Sequence, residues 1–145
     1  GGEGAGSCAM RFCPWADVIA PSMPEAAALC VLAGEGESDM GRAARWLAGR
    51  GVGAGLVKGG QRGDSADDVL ALPDGSLTWL RAPRVDTRNT HGTGCTLSSA
   101  IACGLARSLT VEQAVRSAKD YVRGALGAGM NLGKGSGPLD HMWEY

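Results

Sequence analysis

Hydrophobic and polar residues alternate in short blocks along the chain, and glycine, proline or serine stands between the blocks. The apolar block ADVIA (16–20) predicts a short buried strand. The turn after it leads into MPEAAALCVL (23–32), which predicts a helix capped by Ser22 or Met23 with Pro24 in its first turn. The patterned part of the chain therefore begins with a strand followed by a helix.

The next blocks predict a second helix and three strands. The helix covers DMGRAARWLAGR (39–50), with Ser38 as its cap and glycines at its end. GAGLVKGG (53–60) is typical of a central strand that runs into a glycine turn. VLAL (69–72) and SLTWL (76–80) flank Pro-Asp-Gly, and an Asp-Gly pair between apolar runs is a strong hairpin signal.

Two more helices are predicted in the last third of the chain. Leu97, Ile101 and Leu105 recur at helical spacing after a glycine loop. TVEQ (110–113) is a capping-box pattern, which predicts the start of a long helix. Its predicted buried stripe consists of Val111, Val115, Ala118, Val122 and Leu126. A glycine-rich exit (127–137) follows, and the whole order, β-α-α-β-β-β-α-α, is typical of a layered α/β protein.

Composition excludes several classes of function. Charged residues make up 20% of the 145 residues, the formal net charge is -1 and aromatic residues make up 5%, so we expect no nucleic-acid partner. There is no long apolar run, and the first residues do not form a signal peptide, so we expect no membrane partner. The five cysteines form no CxxC pair, which disfavours a disulfide framework or a zinc site and favours reduced thiols in the cytoplasm.

The stretch NTHGTGCTLSSAIACGLA (89–106) contains the candidate chemistry, because its first cysteine follows a glycine-rich loop at the predicted start of a helix. A helix N-terminus has unpaired N–H groups and partial positive charge, and glycines let a phosphate approach the backbone closely. Such a cradle would stabilise the charge on a phosphoryl group during its transfer. The candidate donors are the N–H groups of Gly92, Thr93, Gly94 and Cys95. A helix N-terminus also favours a thiolate, so Cys95 is a candidate nucleophile or base.

Other motifs with similar residues do not fit this stretch. A Walker P-loop needs a lysine after the glycines, and a dinucleotide fingerprint needs a third glycine where Leu97 stands. A cysteine phosphatase needs an arginine at the position of Ile101. Papain-like catalysis needs its own cysteine context and a histidine, and besides His91 the chain offers His141 alone. A cysteine that only packs at a helix start remains the alternative to a catalytic Cys95.

NTHGTGCTLSSAIACGLA closely resembles the signature near the C-terminus of hydroxymethylpyrimidine/phosphomethylpyrimidine kinases, thiamine-biosynthesis enzymes of the ribokinase-like superfamily. ADVIAPSMPEAAAL, LVKGG and GKGSGPLDHMW agree with that family in order and spacing, so the resemblance covers about residues 15–143. It implies a layered αβα ribokinase-like fold, of which this chain is the C-terminal portion of the sheet with flanking helices, truncated at the N-terminus. Residues 1–14 are then an unmatched glycine-rich leader, and residues 15–145 belong to the kinase-like domain.

The resemblance also implies a reaction, the ATP-dependent phosphorylation of 4-amino-5-hydroxymethyl-2-methylpyrimidine and its monophosphate. It makes Cys95 the general base that takes the proton of the substrate hydroxyl, at a position where the wider superfamily usually has an aspartate. Lys58, Thr90 and Lys134 are implied to contact the nucleotide or the substrate phosphate. Glu25 is implied to help place Mg²⁺ through water.

Each of these roles has a structural alternative. Lys58 and Lys134 are also explained as solvated lysines, and Glu25 as a helix-start glutamate next to Ser22, which stands where the family has asparagine. Two other functions stay open, a pyridoxal kinase-like activity and a non-catalytic nucleotide-binding fragment without the substrate half. A lone half would expose surface that is normally covered, so we expect a homodimer or association with a complementing chain.

Overall fold

A computed structural model describes residues 13–30, 36–51, 53–59 and 65–145. The chain divides into two compact units, residues 1–84 and residues 85–145. After a 3-10 turn at Cys13–Trp15, the elements of the first unit are α1 (Met23–Cys30), α2 (Gly36–Ala48), β1 (Gly55–Lys58), β2 (Asp68–Ala71) and β3 (Leu77–Leu80). Those of the second unit are α3 (Thr93–Ala106) and α4 (Val111–Ala128). This mixture of elements confirms the predicted α/β class.

The start of α1 agrees with the prediction. Ser22 precedes the helix, and its carbonyl accepts the N–H of Ala26 at 2.9 Å. The Glu25 carboxylate accepts the N–H of Ser22 at 2.7 Å, which is one half of a capping box. Pro24 lies in the first turn, where its missing N–H costs nothing. Residues 31–32, which were expected to continue this helix, lie outside the described residues, as do residues 1–12 of the expected leader.

The start of α2 differs from the prediction. Its range begins at Gly36, so Ser38 lies inside the first turn, and the prediction that Ser38 caps the helix is wrong. The reason is that helical hydrogen bonding already includes the residues before Ser38. Glu37 and Asp39 share this first turn, where the helix dipole favours negative charge.

The segment predicted as a first strand, residues 16–20, forms one isolated bridge instead of a ladder, and a second bridge follows it at Ser22. Ile19 and Ser22 pair with β1 in parallel. The N–H of Leu56 donates to the carbonyl of Ile19 at 2.8 Å, and the N–H of Lys58 donates to the carbonyl of Pro21 at 2.9 Å. Because Pro21 has no N–H to donate in return, a continuous ladder cannot form here. The segment still gives β1 a second neighbour, which agrees with its predicted central position.

The three strands form an antiparallel sheet in the order β1-β2-β3. Leu56 of β1 lies opposite Leu70 of β2. The turn between β2 and β3 contains Gly75 with a positive φ of 83°, and the Asp74 carboxylate accepts the N–H of Ser76 at 2.9 Å. The predicted Pro-Asp-Gly hairpin is therefore confirmed.

The core of the first unit lies where α1 and α2 pack against this sheet. Apolar side chains from all three surfaces are buried there, among them Met23, Ala26, Met40, Ala44, Leu47, Val57 and Val69. Outside this core, the Arg81 guanidinium is paired with Glu37 and Asp67 and lies over the Trp79 ring, 4.4 Å from its centroid.

The second unit is built on the packing of α3 against α4. Gly104 of α3 is buried against Ala114 of α4, and a Cβ on Gly104 would lie 2.8 Å from the Cβ of Ala114. The predicted capping box is present, since Thr110 and Gln113 exchange both of its hydrogen bonds. The buried stripe of α4 consists of Ala114, Val115, Ala118, Val122 and Ala125, and Val111 and Leu126 of the predicted stripe are half-buried. No helix within the described ranges is long and apolar enough to cross a membrane.

Candidate functional site

The glycine loop leads directly into α3, as the sequence predicts. Gly92 precedes the helix with φ 87° and ψ 2°, in the left-handed region that glycine adopts without steric cost. No side chain caps this end of the helix. Helix geometry also leaves the first-turn N–H groups of Gly94 and Cys95 without a partner inside α3. The N-terminus of α3 therefore offers backbone donors to an anion.

The loop is held by hydrogen bonds among its threonines, which reduce the number of available donors. The carbonyl of Thr90 accepts both the N–H of Thr93 at 3.3 Å and its hydroxyl at 2.7 Å. The N–H of Thr96 donates to the carbonyl of Gly92 at 2.9 Å. Of the four predicted donors, Thr93 thus already has an acceptor within the loop, while Thr90 contributes its carbonyl to the loop geometry.

Cys95 lies in the first turn of α3 and is exposed. Cys103, on the same helix, is also an exposed free thiol. The thiol of Cys95 is therefore accessible to a substrate next to the backbone donors, and Cys103 provides a comparison residue of the same type and exposure.

A second segment of the chain lies against this loop. The N–H of His91 donates to the carbonyl of Gly137 at 3.1 Å, and the Arg88 guanidinium donates to the carbonyl of Gly133 at 3.4 Å. Residues 129–137, which we call the glycine-rich segment, include Lys134, whose side chain is exposed. The structure therefore brings the segment of Lys134 to the loop that precedes α3.

His141 also contacts the start of α3, in a way the sequence did not indicate. Its Nε2 atom lies 3.0 Å from the hydroxyl of Thr96, and Thr96 is buried. The hydroxyl of Tyr121 donates to the carbonyl of His141 at 2.8 Å. His141, considered in the sequence as a partner of a protease cysteine, thus joins the C-terminal tail to the residue after Cys95.

The remaining candidate residues, Glu25 and Lys58, lie near each other in the first unit. The N–H of Ser22, followed by its hydroxyl and the charge of Lys58, lowers the pKa of Glu25 below its ordinary value. The carboxylate is exposed and anionic, and the described ranges contain no group of three or more metal-binding side chains. A single exposed carboxylate fits a water-mediated contact to Mg²⁺, which keeps much of its own hydration.

The sequence as a whole matches a known family. The model of the phosphomethylpyrimidine kinase family matches residues 3–140. The chain belongs to this kinase family. It is 50% identical over 134 residues to the hydroxymethylpyrimidine/phosphomethylpyrimidine kinase of Streptomyces coelicolor, and the match covers 92% of this chain and 49% of that protein. The predicted family membership is therefore confirmed.

Solved kinase structures match this phosphomethylpyrimidine kinase family member over about half of their own length. The pyridoxal kinase of Bacillus subtilis, solved as an ADP complex, matches with a TM-score of 0.91 and 29% identity over 99% of this chain and 54% of that chain. The pyridoxal kinase of Staphylococcus aureus in complex with AMP-PCP matches with a TM-score of 0.90 and 26% identity over 97% and 52%. The chain spans about half the length of the relatives that it matches.

Proposed function

We propose that this chain is the C-terminal part of an αβα-layered kinase that phosphorylates 4-amino-5-hydroxymethyl-2-methylpyrimidine and its monophosphate with ATP, in the cytoplasmic synthesis of thiamine. The observation that carries this proposal is the uncapped N-terminus of α3 behind the left-handed Gly92, in a chain of the phosphomethylpyrimidine kinase family. This arrangement suits the stabilisation of a phosphoryl group during transfer.

In the proposed reaction on the unphosphorylated pyrimidine, the substrate hydroxyl oxygen attacks the γ-phosphorus of ATP, and in the reaction on the monophosphate an oxygen of its phosphate takes that place. The bond from this phosphorus to the bridging β-phosphate oxygen breaks, ADP leaves, and the hydroxyl proton passes to the thiolate Sγ of Cys95, which acts as the general base and becomes a thiol. The N–H groups of Gly94 and Cys95 stabilise the charge on the transferred group, with Gly92 and Thr93 shaping the loop.

Charge neutralisation is the second requirement of phosphoryl transfer. Lys58 and Lys134 are assigned to the phosphates of the nucleotide or the substrate, and Thr90 to the nucleotide side of the loop. Glu25 would hold Mg²⁺ through water. When bound, this ion neutralises charge on the nucleotide phosphates.

The central experiment measures ADP formation by the purified full chain with ATP and the pyrimidine. We expect Cys95→Ala to lower turnover by about a hundredfold to ten-thousandfold, the range for loss of a general base, with ADP affinity nearly unchanged. Cys103→Ala is the matched control, because Cys103 is an exposed thiol on the same helix. Equal turnover in the two variants would show that the exposed thiol of Cys95 has no role in catalysis.

Two observations support alternative functions. The match to pyridoxal kinases supports pyridoxal as the substrate, so the assay compares kcat/KM for pyridoxal and for the pyrimidine. The half-length coverage supports a non-catalytic nucleotide-binding fragment, which would bind ADP without turnover. It also supports a homodimer or a complementing chain as partner, and light scattering of the purified chain distinguishes a monomer from a homodimer.

A further inference from the structure

Asn89 is a buried polar residue to which the proposed reaction gives no role. It lies in the loop before α3 and is 2% exposed. Its Nδ2 atom donates to the Oδ1 of Asn131 at 3.2 Å. Its Oδ1 atom is buried without a hydrogen-bond partner in the described part of the chain. A buried acceptor without a hydrogen-bond partner lowers the stability of the fold. What surrounds the Oδ1 atom therefore decides how the fold accommodates it.

The explanation lies at the two ends of the glycine-rich segment, where glycines enclose the carboxamide. A Cβ on Gly137 would lie 2.0 Å from the Oδ1 of Asn89, and a Cβ on Gly129 would lie 2.5 Å from its Nδ2. The Cα hydrogen of Gly137 that a Cβ would replace therefore points at the unpaired oxygen, a weak C–H···O contact. The side chain of Asn89 fills the space that these two glycines leave open.

Backbone and side-chain contacts surround this carboxamide. His91, two residues after Asn89, donates its N–H to the carbonyl of Gly137. Asn131, which accepts from Asn89, has a positive φ of 46°, a region in which asparagine is tolerated better than most residues. The loop and the glycine-rich segment are thus joined around one buried side chain.

We propose that Asn89 is a positioning residue that fixes the glycine-rich segment, and with it Lys134, against the loop that leads into α3. Asn89 contacts neither nucleotide nor substrate in this proposal, and it acts through the placement of the segment. The role of Lys134 rests on the proposed function, whereas the attachment of the segment does not.

The first test measures amide exchange of His91, whose N–H reports on the contact with Gly137. Gly137→Ala is expected to speed this exchange by about fivefold to a hundredfold, the equivalent of overpacking in a closed space. In an Asn89→Ala background the same substitution should add little, because the nearest remaining side-chain atom, the Cβ of residue 89, lies 3.6 Å from the new Cβ. Gly135→Ala is the control, since a Cβ there meets nothing within 4 Å.

A matched pair at Asn131 tests the other end of the carboxamide. Asn131→Gly tolerates the positive φ and removes the acceptor, so His91 exchange should become faster. Asn131→Asp keeps an acceptor and is expected to restore slow exchange. Two results would overturn the proposal that Asn89 attaches the glycine-rich segment to the loop. One is that Asn89→Ala and Gly137→Ala have additive effects on His91 exchange, and the other is that this exchange is equal in the two Asn131 variants.

The second test measures ADP affinity of the full chain by calorimetry. Asn89→Ala and Lys134→Ala should each lower the affinity for ADP. Because Asn89 acts through Lys134, the affinity of the double variant should be no lower than that of the single variant with the larger loss. Additive losses would overturn the positioning role. A wild-type chain that does not bind ADP would contradict the proposed function, and His91 exchange would still decide the attachment.

Discussion

Gly104→Ala tests how closely α3 must approach α4 for the second unit to be stable. Gly104 is buried at the crossing of the two helices, and a Cβ there would lie 2.8 Å from the Cβ and 3.1 Å from the Cα of Ala114. Carbon atoms in contact are separated by about 3.5–4.0 Å. The helices would therefore have to move apart at this point, which lies near the C-terminal end of α3.

Two opposing terms set the magnitude. Overpacking of a closed interface costs about 1–3 kcal/mol, whereas alanine in place of glycine inside a helix gains about 0.5–1 kcal/mol. The expected net loss of stability is about 1 kcal/mol. Gly127→Ala, near the end of α4, meets nothing within 4 Å and should show the helical gain without the cost.

The assay is native-state amide exchange of α3 and α4, which reports the stability of this unit separately from the other. We expect lower protection in Gly104→Ala and equal or higher protection in Gly127→Ala. Ala114→Gly should cost less in the Gly104→Ala background than in the wild-type chain, where the glycine costs about 0.5–1 kcal/mol inside α4, because in the double variant it also removes the 2.8 Å contact and leaves the 3.1 Å contact. Protection in Gly104→Ala as high as in Gly127→Ala would show that a Cβ at residue 104 does not overpack the contact between α3 and α4.

Two further predictions concern single contacts. The N–H of Ser22 lowers the pKa of Glu25 in the folded chain from its ordinary value of 4.5. The charged carboxylate therefore stabilises the fold at pH values above 4.5, and this stabilisation is lost as the pH falls through the lowered pKa. Glu25→Gln should therefore lower Tm at neutral pH and not in strong acid, and an equal Tm difference at both would contradict this. His141→Ala should cost about 0.5–1.5 kcal/mol, the contribution of one hydrogen bond. In a double-mutant cycle with Thr96→Val the two losses should not add, and fully additive losses would show that the 3.0 Å contact has no energetic role.

Local signals in the sequence were sufficient wherever the interacting groups lie close together in the chain. The capping box joins Thr110 to Gln113, and the hairpin turn joins Asp74 to Ser76, so both could be predicted from a few letters. The prediction that residues 16–20 form a strand in a ladder was wrong. It followed the apolar pattern and did not take account of the missing N–H of Pro21.

The candidate site was predictable only in part. The glycine loop and Cys95 follow from one contiguous motif, whereas the contact of Thr96 with His141 spans 45 residues and that of Asn89 with Asn131 spans 42. Neither distant pair has a periodicity or a local motif that would reveal it. The catalytic and binding roles of the site residues stay predictions until the assays are done.

The packing of the Trp143 ring makes this residue a fluorescence probe of the C-terminal tail. The chain has four tryptophans, and Trp143 is the one that belongs to residues 85–145. Its ring lies against Gly124, where a Cβ would come within 2.2 Å of it, and its centroid is 6.3 Å from that of the Tyr121 ring. With the other three tryptophans replaced by phenylalanine, the wavelength of the Trp143 fluorescence maximum reports directly whether the C-terminal tail is docked on α4.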